Sequence, residues 1–354
     1  MSVMISLQHL TKSFRLSHTS SLKTAILRKS KRSIEQFSVL NDLSLEIEKR
    51  ECVALIGRNG AGKSTWLRAV HQLWGWFRRS CTVRRPTEPS PRDRVPKGST
   101  LGMLVGGLAG PDSHLWIWQG SPLALAAERQ RHEGPGRTAP SVVSLDEAGL
   151  LAAWDQAFVQ AEGGGSSLPN VLLLEAEGRF LPPLRSGALS RPSPTPAWIA
   201  APRYRPSDRG EALEGVMRTL ALARRDRWVA LCDDLRDLLP GIRLLDAFDE
   251  ATLRPLFELS NGQRLFADQL SAGEISLLIS IVTIARFASP GAVVLLDEPE
   301  LHQHLSLMRG SLAALEELVV DHLGGQLIVA SHAPEVWDHF RAQRAWVDLP
   351  GRGP

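Results

Sequence analysis

Apolar positions along this chain of 354 residues fall into short continuous runs and longer helical patterns. Val53–Ile56, Val171–Leu174, Val293–Leu296 and Leu327–Ala330 are short apolar stretches, each ended by a polar or turn residue. Runs of that kind predict strands buried on both faces, which is the habit of parallel sheets. Ser44–Glu48 alternates apolar and polar residues with period two, and Val3–Leu7 has the same strand character. Helices are predicted over Glu211–Arg225, Leu231–Leu239, Ser271–Phe287 and Leu312–Val320. Strands alternating with helices predict an α/β fold, a mostly parallel sheet flanked by helices. Order is strong at both ends and weak between them. We therefore expect an N-terminal lobe at 1–75, an inserted irregular and helical subdomain at 76–260, and a C-terminal lobe at 261–345.

The middle is broken by Pro/Gly/Ser-rich stretches at Arg78–Lys97, Gly134–Pro140, Gly163–Pro169 and Arg191–Pro206, which read as loops. Prolines recur too often for sustained heptads, and no internal repeat is visible. Ser21–Phe37 is a basic stretch with Leu22, Ala25, Ile26 and Phe37 on one possible helix face. It reads either as a solvated helical insertion or as a docking surface for an acidic partner or nucleic acid.

Composition narrows the class without deciding the chemistry. With 43% hydrophobic residues and a net charge of +3, the chain is globular and too weakly basic to imply nucleic acid on charge alone. Every lysine lies at or before Lys97, so positive charge beyond it is arginine, a split that reads mostly as base-composition bias in the gene, although arginine is also the better anion fork. Cys52, Cys81 and Cys232 are too scattered for a disulfide framework or a metal cage, and Cys52 sits in an apolar run as a buried thiol would. The N-terminus lacks a signal-peptide stretch, and no apolar run reaches the roughly 18 residues of a membrane span. A cytoplasmic protein is expected.

Four motifs carry chemistry. Gly57–Thr65 reads GRNGAGKST, with a strand before it and a helix after it. Glycines at 57, 60 and 62 let the backbone curl so that N–H groups of Arg58, Asn59, Ala61 and their neighbours converge on phosphate oxygens. Helix onset near Lys63 adds a positive dipole end. Lys63 can place its ammonium on the β- and γ-phosphates, and Ser64 can ligate Mg²⁺. VVLLDEPE (Val293–Glu300) ends a buried strand in acids, placing Asp297 and Glu298 at the sheet edge where open α/β sheets bind ligands. Asp297 suits the Mg²⁺ shell and Glu298 suits the attacking water. LSAGE (Leu270–Glu274) is a capping box through Ser271 and Glu274, and its small residues also leave a helix N-terminus open to an anion. His332, in IVASHAPE, follows a buried strand, where a histidine by itself is more often structural.

This order of motifs resembles the ABC-type ATPases, over roughly the first 70 and last 95 residues by pattern. The resemblance implies a P-loop NTPase fold of ABC/SMC-head type with ATP as substrate. It implies Lys63 and Ser64 on phosphate and Mg²⁺, Asp297 on Mg²⁺, Glu298 as catalytic base and His332 as the switch that senses γ-phosphate. Ser271, Gly273 and Glu274 resemble the signature that contacts ATP held by a second copy, so a dimer is implied. Phe14 resembles the aromatic that stacks on adenine, with Phe37 competing. FSVLNDLSLEIEKRECVALIGRNGAGKST resembles ATP-binding subunits of polysaccharide exporters. LSAGE and DEPELHQHL (Asp297–Leu305) resemble instead the SMC/OLD-like AAA group, as does PNVLLLEAEGRF (Pro169–Phe180), which would bring Arg179 near the nucleotide. Gln119 is a poor match to the family's glutamine beside Mg²⁺.

The implied function is an ATP-driven head-to-head switch coupled to an effector, either a nuclease in a DNA-linked or antiphage complex or a membrane permease. A non-hydrolysing scaffold is the third setting, which an intact Glu298 argues against. The chain ends about 20 residues beyond His332, so no appended nuclease domain is expected.

Overall fold

The structure is a computed structural model describing residues 3–17, 34–48, 50–59, 61–82, 100–106, 114–120, 148–162, 168–176, 179, 213–239, 241–342 and 346–349. Its centre is a five-stranded sheet of β3 (Cys52–Ile56), β6 (Val171–Leu174), β10 (Val293–Asp297), β11 (Gln326–Ser331) and β12 (Trp346–Asp348). The spatial order is β12-β3-β11-β10-β6, and every pair is parallel. β3, β6, β10 and β11 are buried along their whole length, which is why their sequences are continuous apolar runs. All four strands expected from such runs are present.

Two antiparallel sheets accompany it. β1 (Val3–Ser17) pairs β2 (Ile34–Glu48), and β4 (Thr100–Gly106) pairs both β1 and β5 (His114–Gly120). β7 (Ile242–Phe248), β8 (Pro255–Leu259) and β9 (Arg264–Leu265) form the third sheet. Residues 76–260 therefore supply strands to all three sheets, β6 of the central one included. Ile34–Phe37, read as the end of a helix, belongs to β2, where pairing with β1 overrides the local apolar face. Ser21–Ser33 lies outside the described residues. Arg78–Thr82, expected in a loop, completes the helix α1 (Lys63–Thr82); the rest of that basic stretch is not described.

Helices cover the sheet. α1 packs on α2 (Ala148–Glu162) through Trp74, Phe77, Trp154 and Phe158, whose rings meet at centroid distances of 5.3–6.0 Å. Edge-to-face contact of that kind adds to the burial of large apolar surface. α3 (Leu213–Ala223) and α4 (Arg225–Leu238) are separated by Arg224 alone. α5 (Ala272–Phe287) is apolar around most of its circumference and lies in the main core. Its last carbonyls are satisfied from outside the helix: Asn170 donates to Phe287 O at 2.7 Å, and Arg227 donates to Ala285 O and Ala288 O. α6 (Leu305–Glu316) continues into a π-helical turn at Glu317–His322, and α7 (Pro334–Ala342) follows β11. Cys52 and Cys232 are free and buried, as the apolar run around Cys52 implies, and burial pushes the Cys232 thiol up to about 12. Among the described residues no helix is long and apolar enough to cross a membrane.

Candidate functional site

Parallel pairing brings the C-terminal ends of β3, β10 and β11 to one edge, so the loops that leave them converge. Register partners there are Ser331 with Ile56 and Asp297 with Ala330. Gly57 turns the chain out of β3 at φ 155°, and a Cβ there would stand 2.9 Å from the carbonyl oxygen of Leu349. Only glycine fits that approach. Gly62, at φ 89°, then accepts from Trp66 N at 2.9 Å and opens α1. Arg58 and Asn59 are exposed, Ala61 and Gly62 are buried, and Gly60 lies outside the described residues.

Lys63 is 6% exposed, and its Nζ donates to Gly57 O at 2.7 Å and Arg58 O at 3.1 Å. Its ammonium is thus held inside the loop by the loop's own carbonyls. Burial lowers its pKa, opposed by the negative charges of Glu298, Asp297 and Glu300. Ser64 donates to Asp297 Oδ1 at 2.8 Å, a bond across 233 positions of sequence. Asp297 is 4% exposed. Burial raises its pKa, partly offset by the Ser64 hydrogen bond, and the neighbouring Glu298 charge raises it further.

Glu298 follows in the left-handed region at φ 46°, its N–H donating to Ala330 O at 2.8 Å. A glutamate rarely adopts that backbone, and such strain concentrates at functional positions. Its side chain is 30% exposed, and Oε1 lies 3.6 Å from His332 Nδ1. Glu300 is the residue that the motif reading passed over. Its Oε1 accepts from Ser331 Oγ at 2.8 Å and from His332 N at 3.2 Å, and it lies 3.3 Å from His332 Nδ1. It therefore ties the loop after β10 to the loop after β11 and sets where His332 stands. The signal was present in sequence as a second acid two residues after Glu298 on a tight turn.

The remaining candidates lie on other elements. Ser271 caps α5 as its sequence implies: it accepts from Glu274 N at 3.4 Å while its own N–H donates to Glu274 Oε2 at 2.7 Å. Ser271 and Ala272 are exposed, and Gly273 is buried. A Cβ on Gly273 would lie 2.8 Å from the carbonyl of His302, so this glycine answers first to packing within its own chain. Phe14 and Phe37 are register partners across β1 and β2. Gln119 lies in β5, in the antiparallel sheet. Arg179 is buried against the backbone of Asp297 and Glu298. Among the described residues no cluster of His, Cys, Asp and Glu could hold a metal by itself.

The two ends of the chain match different families. The family model described as "AAA domain, putative AbiEii toxin, Type IV TA system" matches residues 193–338, and the model described as "ABC transporter" matches residues 40–78. The ABC transporter ATP-binding protein YtrB of Bacillus subtilis (strain 168) is 49% identical over 47 residues, 13% of this chain and 16% of that protein. The aliphatic sulfonates import ATP-binding protein SsuB 2 of Nocardia farcinica (strain IFM 10152) is 31% identical over 154 residues, 42% of this chain and 55% of that one. The chain thus spans between a sixth and about half the length of these relatives. The dimeric structure of MJ0796, a bacterial ABC transporter cassette, aligns over 98% of this chain and 94% of its own at 14% identity and a TM-score of 0.43.

Asp297 yields a test of the electrostatics. Its raised pKa means that the folded state disfavours its charge, so its contribution to stability is greatest below the carboxylate's ordinary pKa and is lost as pH rises through the folded value. Asparagine keeps an acceptor for Ser64 and carries no charge. Asp297→Asn should melt higher than wild type at pH 7 without nucleotide, and the gap should close as pH falls toward 4. Calorimetry across that range checks it, and a lower melting temperature at pH 7 contradicts it.

Proposed function

Because the chain belongs to the ABC-type ATPase superfamily, we propose that it binds Mg-ATP at Gly57–Thr65, hydrolyses it, and uses the cycle to bring two copies together as a switch. The observation that carries this reading is the 2.8 Å hydrogen bond from Ser64 to Asp297, which couples the phosphate loop to the acidic edge of the sheet. A hydroxyl and a buried carboxylate are hard oxygen donors, the set that Mg²⁺ takes together with substrate phosphates and water. Ser64 and Asp297 would hold that ion, which neutralises charge on the phosphate oxygens.

The chain's own residues account for the rest. Backbone N–H groups of the loop and the N-terminus of α1 receive the phosphates. Lys63 exchanges the carbonyls of Gly57 and Arg58 for phosphate oxygens, a favourable trade for a partly desolvated ammonium. Glu298, exposed enough to meet water, orients the attacking water and takes its proton. His332, held by Glu300, stands beside Glu298 on the next loop and contacts the γ-phosphate. Ser271, Gly273 and Glu274 open an exposed helix start that would receive the ATP of a second copy. That contact exists only in the closed pair, so it can drive the switch.

The partner is an effector protein, and two settings have support. The "AAA domain" match over residues 193–338 and the DEPELHQHL motif favour a DNA-linked or antiphage complex with a nuclease. The "ABC transporter" match over residues 40–78, with relatives named as import ATP-binding proteins, favours a membrane permease. Binding to duplex DNA that weakens steeply between 50 and 200 mM salt, by about 10³ or more for six phosphate contacts, supports the first and its absence the second.

Lys63→Ala should lose ATP binding, by about tenfold or more in Kd, since a charge-assisted contact contributes on the order of 1.5–3 kcal/mol. Unchanged affinity in equilibrium titration refutes the site. Glu298→Gln should keep ATP affinity, lower kcat about 100-fold or more, and accumulate as a dimer with Mg-ATP. A monomer by light scattering under those conditions refutes the two-copy cycle.

A further inference from the structure

Arg179 is 3% exposed, and its hydrogen bonds run to carbonyls and a hydroxyl. Nη1 donates to Asp297 O at 2.7 Å and to Leu174 O at 3.3 Å, Nη2 donates to Glu298 O, and Nε donates to Ser276 Oγ at 3.1 Å. Among the described residues it forms no ion pair with a carboxylate. A guanidinium is costly to bury, and burial lowers its pKa to about 10, countered by the charges of Asp297, Glu300 and Glu298. Such a group is expected to do something that an apolar residue could not.

Its geometry says what. Successive carbonyls of an extended strand point to opposite sides, so one side chain does not ordinarily reach two of them. Here the carbonyls of Asp297 and Glu298 both turn toward one guanidinium, and Glu298 is the residue with φ 46°. The left-handed turn breaks the alternation, and the planar fork of arginine matches the result; a lysine ammonium has no such fixed fork. The fourth contact, Ser276, is buried on α5, five residues beyond Ser271. One side chain thus joins β6 through Leu174, β10 through Asp297, the strained glutamate, and the helix whose start carries LSAGE.

We propose that Arg179 is a positioning residue for hydrolysis, holding Glu298 in its left-handed backbone conformation and fastening that conformation to α5 through Ser276. This rests on the reading of Glu298 as the base. Arg179 does not touch ATP in this scheme; it acts through the Asp297–Glu298 backbone. Its loss should therefore slow the chemical step and leave binding intact.

The experiment measures steady-state ATPase, ATP affinity and melting temperature for Arg179→Lys, Ser276→Ala and the double variant. Arg179→Lys should lower kcat about tenfold or more, the scale set by small displacements of a reacting group, with KM and ATP affinity within about twofold. Ser276→Ala leaves the guanidinium in place and should lower kcat by a smaller factor, again without a change in KM. The double variant should be no slower than Arg179→Lys alone, because both changes act on one path. Wild-type kcat in Arg179→Lys overturns the proposal, and so do multiplicative losses in the double variant or a KM that rises in step with the loss of kcat. If Arg179→Lys does not fold, Ser276→Ala decides, and an unchanged kcat there overturns the link to α5. Absence of ATPase activity in the wild-type chain would instead count against the function from which this inference starts.

Discussion

The parallel seating of β11 between β3 and β10 is the constraint on which the candidate site depends. It brings the ends of three strands to one edge, and with them the phosphate loop, the acids and His332. Ser64 reaches Asp297 at 2.8 Å only while Asp297 stays level with Ala330, and Ser331 with Ile56. A slip of one residue along a strand moves an end by about 3.3 Å and turns every side chain to the other face. Register is held by burial: β3, β10 and β11 are buried along their whole length, so a slip would strip the buried Asp297 and Gln326 of the partners they meet in this register, Ser64 and the Ile47 carbonyl.

That rigid edge supports groups that would not be chosen for stability. Lys63, Asp297 and Arg179 are buried charged groups whose charged forms the surroundings disfavour, and Glu298 occupies a backbone region suited to glycine. They are balanced against one another. Lys63 and Arg179 each feel the three acids, and Arg179 also satisfies the carbonyls that the turn at Glu298 diverts. Local rules fail together at this edge while the strands beneath obey them, which is the pattern expected of a site supported by a well-packed scaffold.

Much of that scaffold was legible in the residues. β3, β6, β10, β11 and α5 announce themselves through continuous apolar runs, and the box at Ser271–Glu274 marks where α5 begins. The antiparallel sheets were harder. β4 reads TLGMLVG and β7 reads IRLLDAF, short segments without clean alternation, and the pairing of β4 with β1 joins residues almost a hundred positions apart. Within the site, residue type and spacing pointed to Lys63, Ser64, Asp297 and Glu298, and the family resemblance added His332. Glu300 and Arg179 were not legible in their roles, because those roles are contacts with backbone groups from distant segments. A motif records which side chains are present, but it does not record which carbonyls turn toward them.

Gly273 shows how one residue can satisfy two demands. In sequence it reads as open space for an anion at a helix start. In the fold, that space is the approach of the His302 carbonyl, where a Cβ would lie 2.8 Å away. His302 belongs to the turn that follows Glu298 and Glu300, and it too has a left-handed backbone, at φ 67°. The start of α5 therefore packs against the loop that leaves the acids, while Ser276 on the same helix is tied to their backbone through Arg179. In the proposed cycle, a second copy's ATP meets Ser271 on the exposed side of this junction. Force applied there has two short routes to Glu298, one through the His302 turn and one through Arg179. An alanine at 273 would crowd the His302 carbonyl before any nucleotide arrived, so the single chain already requires the glycine.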